Sequence, residues 1–263
     1  MTSQNSTENS LKQKLKAGKQ TSGAWLHAAN AITAEIMARA GFDWLLIDME
    51  HGPGDLMSLV AQLQGMNGTG AVPLVRVPSN DAVFIKRVLD AGAIGILVPN
   101  VQTKAEAEAA YQACKYAPDG IRGIASGTRA AYFGQDENRW LTTANARTLV
   151  MIQIESPLAV ANLDSILEVA GIDVIFIGPR DLSTSMGYFN DPSQPEVQAT
   201  IATIEQKTLR AGKALATVTG SWEQAEQKYR SGYQMLTLMS DAVSLAQLAN
   251  LTLQKFKTAF PSE

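Results

Sequence analysis

Short apolar runs alternate with longer amphipathic ones along the chain. The short runs are SGAWLH (22–27), DWLLIDM (43–49), VPLVRV (72–77), IGILVP (94–99), LVMIQIE (149–155), DVIFIG (173–178), KALATV (213–218) and YQMLTLM (233–239). Their near-continuous apolarity predicts strands buried on both faces, as in a parallel sheet. Between them lie helical patterns such as AITAEIMARAG, DAVFIKRVLDAG, TKAEAEAAYQACKYA and SWEQAEQKYRSG. Eight strand–helix repeats predict an α/β fold, the (β/α)8 or TIM barrel. An open doubly wound sheet is the competing architecture. It would usually show a glycine-rich phosphate loop after the first strand, and WLHAANA is not one. The stretch 117–147, APDGIRGIASGTRAAYFGQDENRWLTTANAR, shows no ordinary strand and is unusually long. It reads as a long barrel loop of the kind that carries function. The closing DAVSLAQLANLTLQKFKTAF reads as a final amphipathic helix.

A length of 263 residues suits one barrel domain, taken as 11–263 after a disordered lead-in at 1–10. Hydrophobic content of 46% and charged content of 18% fit a sizeable core. The net charge is −3, and no basic block interleaves with aromatics, so nucleic acid is not an expected partner. No apolar run approaches the roughly 20 residues that span a bilayer. The polar N-terminus lacks the apolar centre of a signal peptide. Together with the single Cys114, this gives a cytoplasmic expectation. Cys114 lies in a helical pattern and reads as a small buried apolar residue.

In such a barrel the active site lies at the C-terminal strand ends. Trp25 and His27 close the first strand there. Asp48, Glu50 and His51 follow the second, Arg76 ends the third, Glu155 ends the fifth, and Asp181 follows the sixth in GPRDLS. Each has a bland reading. Glu155 could favour a helix dipole, Asp181 could be an N-cap, Asp48 could orient neighbours, and His51 could be a loop histidine. Arg76 sits too deep in its strand for a surface ion pair. Taken jointly, two carboxylates with an arginine and a histidine at one mouth suit a divalent cation and an anionic substrate. Asp48 and Glu50 alternate along an extended chain, so at most one is expected to face the site. A Schiff-base route needs a lysine at a strand's C-terminal end. Lys86, Lys104 and Lys207 fall in helical patterns, and Lys213 precedes its strand, so metal-assisted chemistry is preferred.

FDWLLIDMEHGP, VPLVRVP, IKRVLDAGAIGILVPNVQTKAEAE, YAPDGIRGIASGTRAAYFG and IQIESPLAVANLD…GIDVIFIGPRDLS together resemble the HpcH/HpaI aldolases, metal-dependent pyruvate aldolases, over about residues 11–259. The resemblance implies a barrel of the phosphoenolpyruvate/pyruvate class whose last helix is exchanged between subunits, with trimers of such dimers forming a homo-hexamer. It implies cleavage of a 4-hydroxy-2-oxo acid to pyruvate and an aldehyde. Glu155 and Asp181 would hold the metal, Mg2+, Mn2+ or Co2+. Arg76 would hold the keto and enolate oxygen, and His51 would move a proton with Asp90 through a water. The backbone around Gly178 and Arg180 would bind the pyruvate carboxylate, and Trp25, Ile124 and Val218 would flank the substrate. Arg180 departs from the pattern, which has a small residue there. Asp48 and Glu50 would support the site or shape its loop. Two rival readings are a citrate-lyase-like barrel acting on acyl-CoA thioesters and a non-catalytic barrel. The first would need a basic entrance, whereas EHGPGD is acidic. The second should have lost a metal carboxylate, whereas both are present.

Overall fold

The computed structural model describes residues 9–261. Helix α1 (Ser10–Lys16) leads into β1 (Thr21–Leu26), α2 (Ala31–Arg39), β2 (Trp44–Asp48), α3 (Leu56–Gly65), β3 (Val72–Arg76), α4 (Ala82–Ala91), β4 (Gly95–Val98) and α5 (Lys104–Cys114). A 3-10 turn (Arg129–Gly134) and α6 (Glu137–Arg147) follow. Then come β5 (Leu149–Ile154), α7 (Pro157–Ala161), α8 (Leu163–Leu167), β6 (Val174–Ile177), α9 (Pro179–Ser185), α10 (Pro195–Arg210), β7 (Ala214–Val218), α11 (Trp222–Arg230), β8 (Met235–Ser240) and α12 (Asp241–Ala259). The eight strands pair in sequence order, all parallel, and β8 returns to β1 to close the barrel. Every strand falls on a run that the sequence pattern predicts.

Strand parity sorts the apolar side chains into two cores, because successive residues point to opposite faces. Leu45, Ile47, Val75, Ile96, Val150, Ile152, Ile175 and Leu215 pack outward with the helices. Trp44, Leu46, Val72, Leu74, Leu97, Leu149, Met151, Val174, Phe176, Ala214, Ala216 and Met235 fill the barrel. Room for the large Trp44 comes from Gly23, where an added Cβ would lie 2.2 Å from the indole ring. Helix α1 plugs the N-terminal end with Leu11 and Leu15. Its start lies earlier than the expected boundary: Asn9 caps α1 and its amide reaches the Arg147 carbonyl at 3.2 Å. Asn9 and Ser10 therefore belong to the domain, and the rest of the lead-in lies outside the described residues.

The 117–147 stretch is not a loop at the barrel mouth. It joins α5 to β5, and so lies at the N-terminal end of the strands. It contains α6, and Tyr116, Ala130, Ala131, Trp140 and Ala144 give it a small core of its own. The pattern hid α6 because its mean character is polar and only Trp140 and Ala144 are buried. Cys114 is fully buried, and burial pushes its thiol up to about 12, so it behaves as the expected small core residue. Helix α12 packs on β1, β8 and α2, while Leu245, Leu248, Phe256 and Phe260 stay exposed. Among the described residues no helix is long and apolar enough to cross a membrane.

Candidate active site

The inward parity that carries leucines at the bottom of the barrel carries polar groups at the top. Asp48 is the last residue of β2 and pairs in register with Arg76, the last of β3. Both are buried. Burying a charge is costly unless it is paired and hydrogen-bonded. Here Arg76 Nε donates to Asp48 Oδ1 at 3.0 Å and Nη2 to Oδ2 at 2.7 Å. Nη1 lies 2.9 Å from Glu50 Oε2. The guanidinium also lies over the Trp25 ring, 4.6 Å from its centroid. Both acids thus reach one arginine, contrary to the expectation that at most one faces the site. Residues two apart on an extended chain point to the same side, and Asp48 and Glu50 share that side here although the chain bends at 49–52. The Glu50 and His51 N–H groups donate to Asp48 Oδ1 at 3.0 and 3.3 Å, which fixes that bend. Burial pushes Asp48 up. Hydrogen bonds from His27 and Arg76 and the arginine charge outweigh that, so the carboxyl is held far below the usual range.

Across the mouth, Glu155 follows β5. Its Oε1 accepts from the Asn100 N–H at 2.8 Å, and its Oε2 accepts from the Gln153 side-chain amide. Ser156 supplies the side-chain cap of α7, so Glu155 is not serving that helix start. Gly178 caps α9 without a side chain, and Asp181 lies in the first turn, so the N-cap reading of Asp181 is also corrected. Burial raises the Glu155 carboxyl, and the charges of Asp181 and Glu50 raise it further. Three acids therefore approach one space. Burial likewise raises Glu50, with Arg76 opposing.

That space suits a cation. Gly178 keeps it open: a Cβ there would lie 2.5 Å from Glu155 Oε2 and 2.9 Å from Gln153 Nε2. Gln153 Oε1 is buried without a hydrogen-bond partner. Among the described residues no group of three His, Cys, Asp or Glu side chains gathers closely enough to form a complete cage. Two carboxylates that leave positions for water and substrate oxygens fit Mg2+ or Mn2+ better than a structural zinc site.

The other expected residues divide by position. Trp25 lies in the barrel core and Val218 ends β7 at the mouth. Arg180 is an exposed residue of α9. The Gly178 N–H already donates to the Ile154 carbonyl at 3.2 Å, and Pro179 has none, so the amides of Arg180 and Asp181 remain at that turn. His51 stands on the rim with its side chain 66% exposed, its Nε2 3.9 Å from Glu50. Asp90 does not meet it within one chain. Helix α4 leaves the mouth after β3 and descends, so Asp90 near its end lies at the opposite rim. There its carboxylate takes Arg122 Nη2 at 2.6 Å. Ile124 belongs to the same α5–β5 connection and is exposed, away from its own barrel's mouth.

Two mouth residues carried no assigned role in the sequence reading. Gln153 lies two residues before Glu155 on β5, and His27 lies two after Trp25, so parity alone puts both on the inner face. His27 Nε2 is 3.2 Å from Asp48 Oδ2 and Nδ1 is 2.9 Å from Ser240 Oγ.

The family model described as HpcH/HpaI aldolase/citrate lyase matches residues 21–247. The chain belongs to that family. It is 42% identical over 249 residues to a 4-hydroxy-2-oxovalerate aldolase of Rhodococcus jostii, covering 94% of this chain and 96% of that one. It is 40% identical over 249 residues to a 4-hydroxy-2-oxo-heptane-1,7-dioate aldolase of Escherichia coli, covering 95% of each. A crystal structure of an HpcH/HpaI aldolase/citrate lyase family protein from Burkholderia cenocepacia superposes with a TM-score of 0.91 at 35% identity, covering 95% of this chain and 99% of that one. Lysine chemistry finds no support at the mouth of this HpcH/HpaI protein. Among the described residues no strand ends in lysine, and Lys213 Nζ donates to the Val169 and Ile172 carbonyls at the N-terminal end.

The buried pair at the mouth makes a stability prediction. Asp48→Ala leaves Arg76 buried with one acid fewer and should lower the unfolding free energy by about 3–5 kcal/mol at pH 7. The folded-state shift of Asp48 is downward. Its contribution is therefore complete above the ordinary aspartate value near about 4 and is lost as pH falls below it. Denaturant unfolding of both proteins between neutral and acid pH should show the gap shrinking below that value. An equal gap at both ends, or none at neutral pH, would contradict the assignment.

Proposed function

We propose that this chain is a divalent-metal-dependent pyruvate aldolase, a carbon–carbon lyase. It would cleave 4-hydroxy-2-oxo acids reversibly to pyruvate and an aldehyde. The observation that carries this reading is the arrangement of Arg76 facing the Glu155–Asp181 pair across one barrel mouth. The names of the two aldolase relatives agree with it.

Retro-aldol cleavage leaves the electrons of the broken bond on a pyruvate enolate, so positive charge must already stand where the oxygen becomes negative. Arg76 supplies it. Two of its five N–H groups donate to Asp48, the Glu50 carboxylate lies 2.9 Å from Nη1, and the guanidinium lies over Trp25. The N–H groups not bonded to Asp48 are available to a substrate oxygen. Glu155 and Asp181 would hold the cation, with the Gln153 side-chain oxygen beside them. Bound there, a divalent ion would supply a second positive charge to the keto and carboxylate oxygens of the 2-oxo acid. The Arg180 and Asp181 amides suit the carboxylate end, and Val218 lines the opposite side. His51, on the rim, is placed to take the C4 hydroxyl proton from the aldehyde half.

A small-molecule substrate fits this mouth, and assembly would complete it. The exposed leucines and phenylalanines of α12 suit exchange of that helix with a second copy, in a dimer or a hexamer built from dimers. Since one chain keeps Asp90 and Ile124 far from its own mouth, their contact with His51 and substrate would come from a neighbouring subunit.

A screen of 4-hydroxy-2-oxo acids for pyruvate release tests the reading. Activity should vanish in EDTA and return with Mg2+, Mn2+ or Co2+. Glu155→Ala should stay inactive after metal is restored; full activity in the chelator-treated variant, or borohydride trapping of pyruvate on a lysine, would refute metal chemistry. Arg76→Ala should lose roughly 100-fold in kcat, about 3 kcal/mol of transition-state stabilisation. An unchanged rate would remove Arg76 from the mechanism.

A further inference from the structure

The mouth holds a histidine that the chemistry above leaves without a task. His27 follows β1, and its place is fixed from four sides. Its backbone N–H donates to Asp241 Oδ1 at 2.8 Å. Its ring stacks on Trp25, with centroids 5.4 Å apart and planes 8° from parallel. Nε2 lies 3.2 Å from Asp48 Oδ2, and Nδ1 lies 2.9 Å from Ser240 Oγ.

These contacts define the ring's state. Asp48, ionised by its pairing with Arg76, can only accept hydrogen bonds, so Nε2 carries the proton. Nδ1 shares its hydrogen bond with the Ser240 hydroxyl, which can donate or accept. Ser240 occupies the cap position of α12, yet its side chain makes no cap bond to that helix, so the hydroxyl can serve the ring. The ring's two nitrogens are both engaged, which leaves neither for a substrate proton.

The target of the first bond is what matters. Asp48 Oδ2 accepts from His27 Nε2 and also from Arg76 Nη2, at 2.7 Å. The plane of that carboxylate sets the rotation of the guanidinium over Trp25. Histidine, carboxylate and arginine thus form one chain of bonds from Ser240 on β8 to the enolate oxygen. We propose that His27 is a positioning residue: it locks Asp48 and, through Asp48, aims Arg76 at the developing negative charge. This rests on the aldolase reading and adds to it a residue acting at one remove from substrate.

The test compares wild type with His27→Leu, His27→Gln and Ser240→Ala in steady-state cleavage of 4-hydroxy-2-oxovalerate and 4-hydroxy-2-oxoheptanedioate, per folded molecule. Groups that orient a reacting residue typically cost about 10- to 100-fold in activity when lost. His27→Leu should lose kcat in that range with KM little changed, since the substrate's own contacts remain. His27→Gln, whose amide can still donate to Asp48, should recover most of the loss. Ser240→Ala should fall in the same direction by a smaller factor. A merely structural histidine predicts a lower melting temperature with wild-type kcat. Wild-type kcat in His27→Leu, or no rescue by His27→Gln, overturns the proposal alone. If His27→Leu does not fold, wild-type kcat in Ser240→Ala overturns it. A wild-type protein inactive on both acids overturns the aldolase reading, and this inference with it.

Discussion

The Asp48–Arg76 pair is the interaction on which the barrel mouth depends. It joins the last residues of two neighbouring strands, it is buried, and it is satisfied by two hydrogen bonds. A guanidinium cannot lose its proton to escape burial, so the fold must supply acceptors around it. Asp48 gives two, the turn after β2 returns the Glu50 carboxylate as an ion-pair partner, and Trp25 lies beneath. The same carboxylate collects the N–H groups of Glu50 and His51, so the shape of the β2–α3 turn depends on the charge that the arginine demands. The buried arginine and the loop beside it are therefore held by one buried acid.

The barrel separates this polar layer from its support. Below it, the inner face is filled by Trp44, Leu46, Leu74, Met151 and Phe176, and α1 closes the bottom with Leu11 and Leu15. Above it, Glu155 and Asp181 stand opposite Arg76, with Gly178 keeping the space between them open. Asp48, Arg76 and Glu155 are buried, where charges act strongly on one another. Burial first, then the neighbouring acids, push Glu155 up.

Much of this was legible in the sequence, and the rest was hidden for physical reasons. Apolar runs marked all eight strands because parallel strands are buried on both faces. Arg76 stood out because a charge inside VPLVRVP has no solvent to reach. Gln153 and His27 followed from the same two-residue parity but look ordinary in type, so nothing in their chemistry flags them. Glu50 shares the inner side with Asp48, as a two-residue spacing requires, so the expectation that at most one of the two acids faces the site was mistaken. The place of Asp90 in RVLDAG says nothing about which end of the barrel a descending helix reaches, so its distance from His51 within one chain was not legible. The 117–147 stretch hid α6, whose sequence is mostly polar.

The most direct measurement is exchange of the pyruvate methyl protons with deuterium oxide, followed by NMR with no aldehyde present. Exchange requires the enolate and nothing else. Chelator-treated wild-type protein should leave the methyl signal intact, and adding Mg2+ or Mn2+ should make it decay at a rate set by enzyme concentration. Equal exchange in the chelator, or no exchange with metal restored, would contradict an enolate formed between Arg76 and a cation held by Glu155 and Asp181.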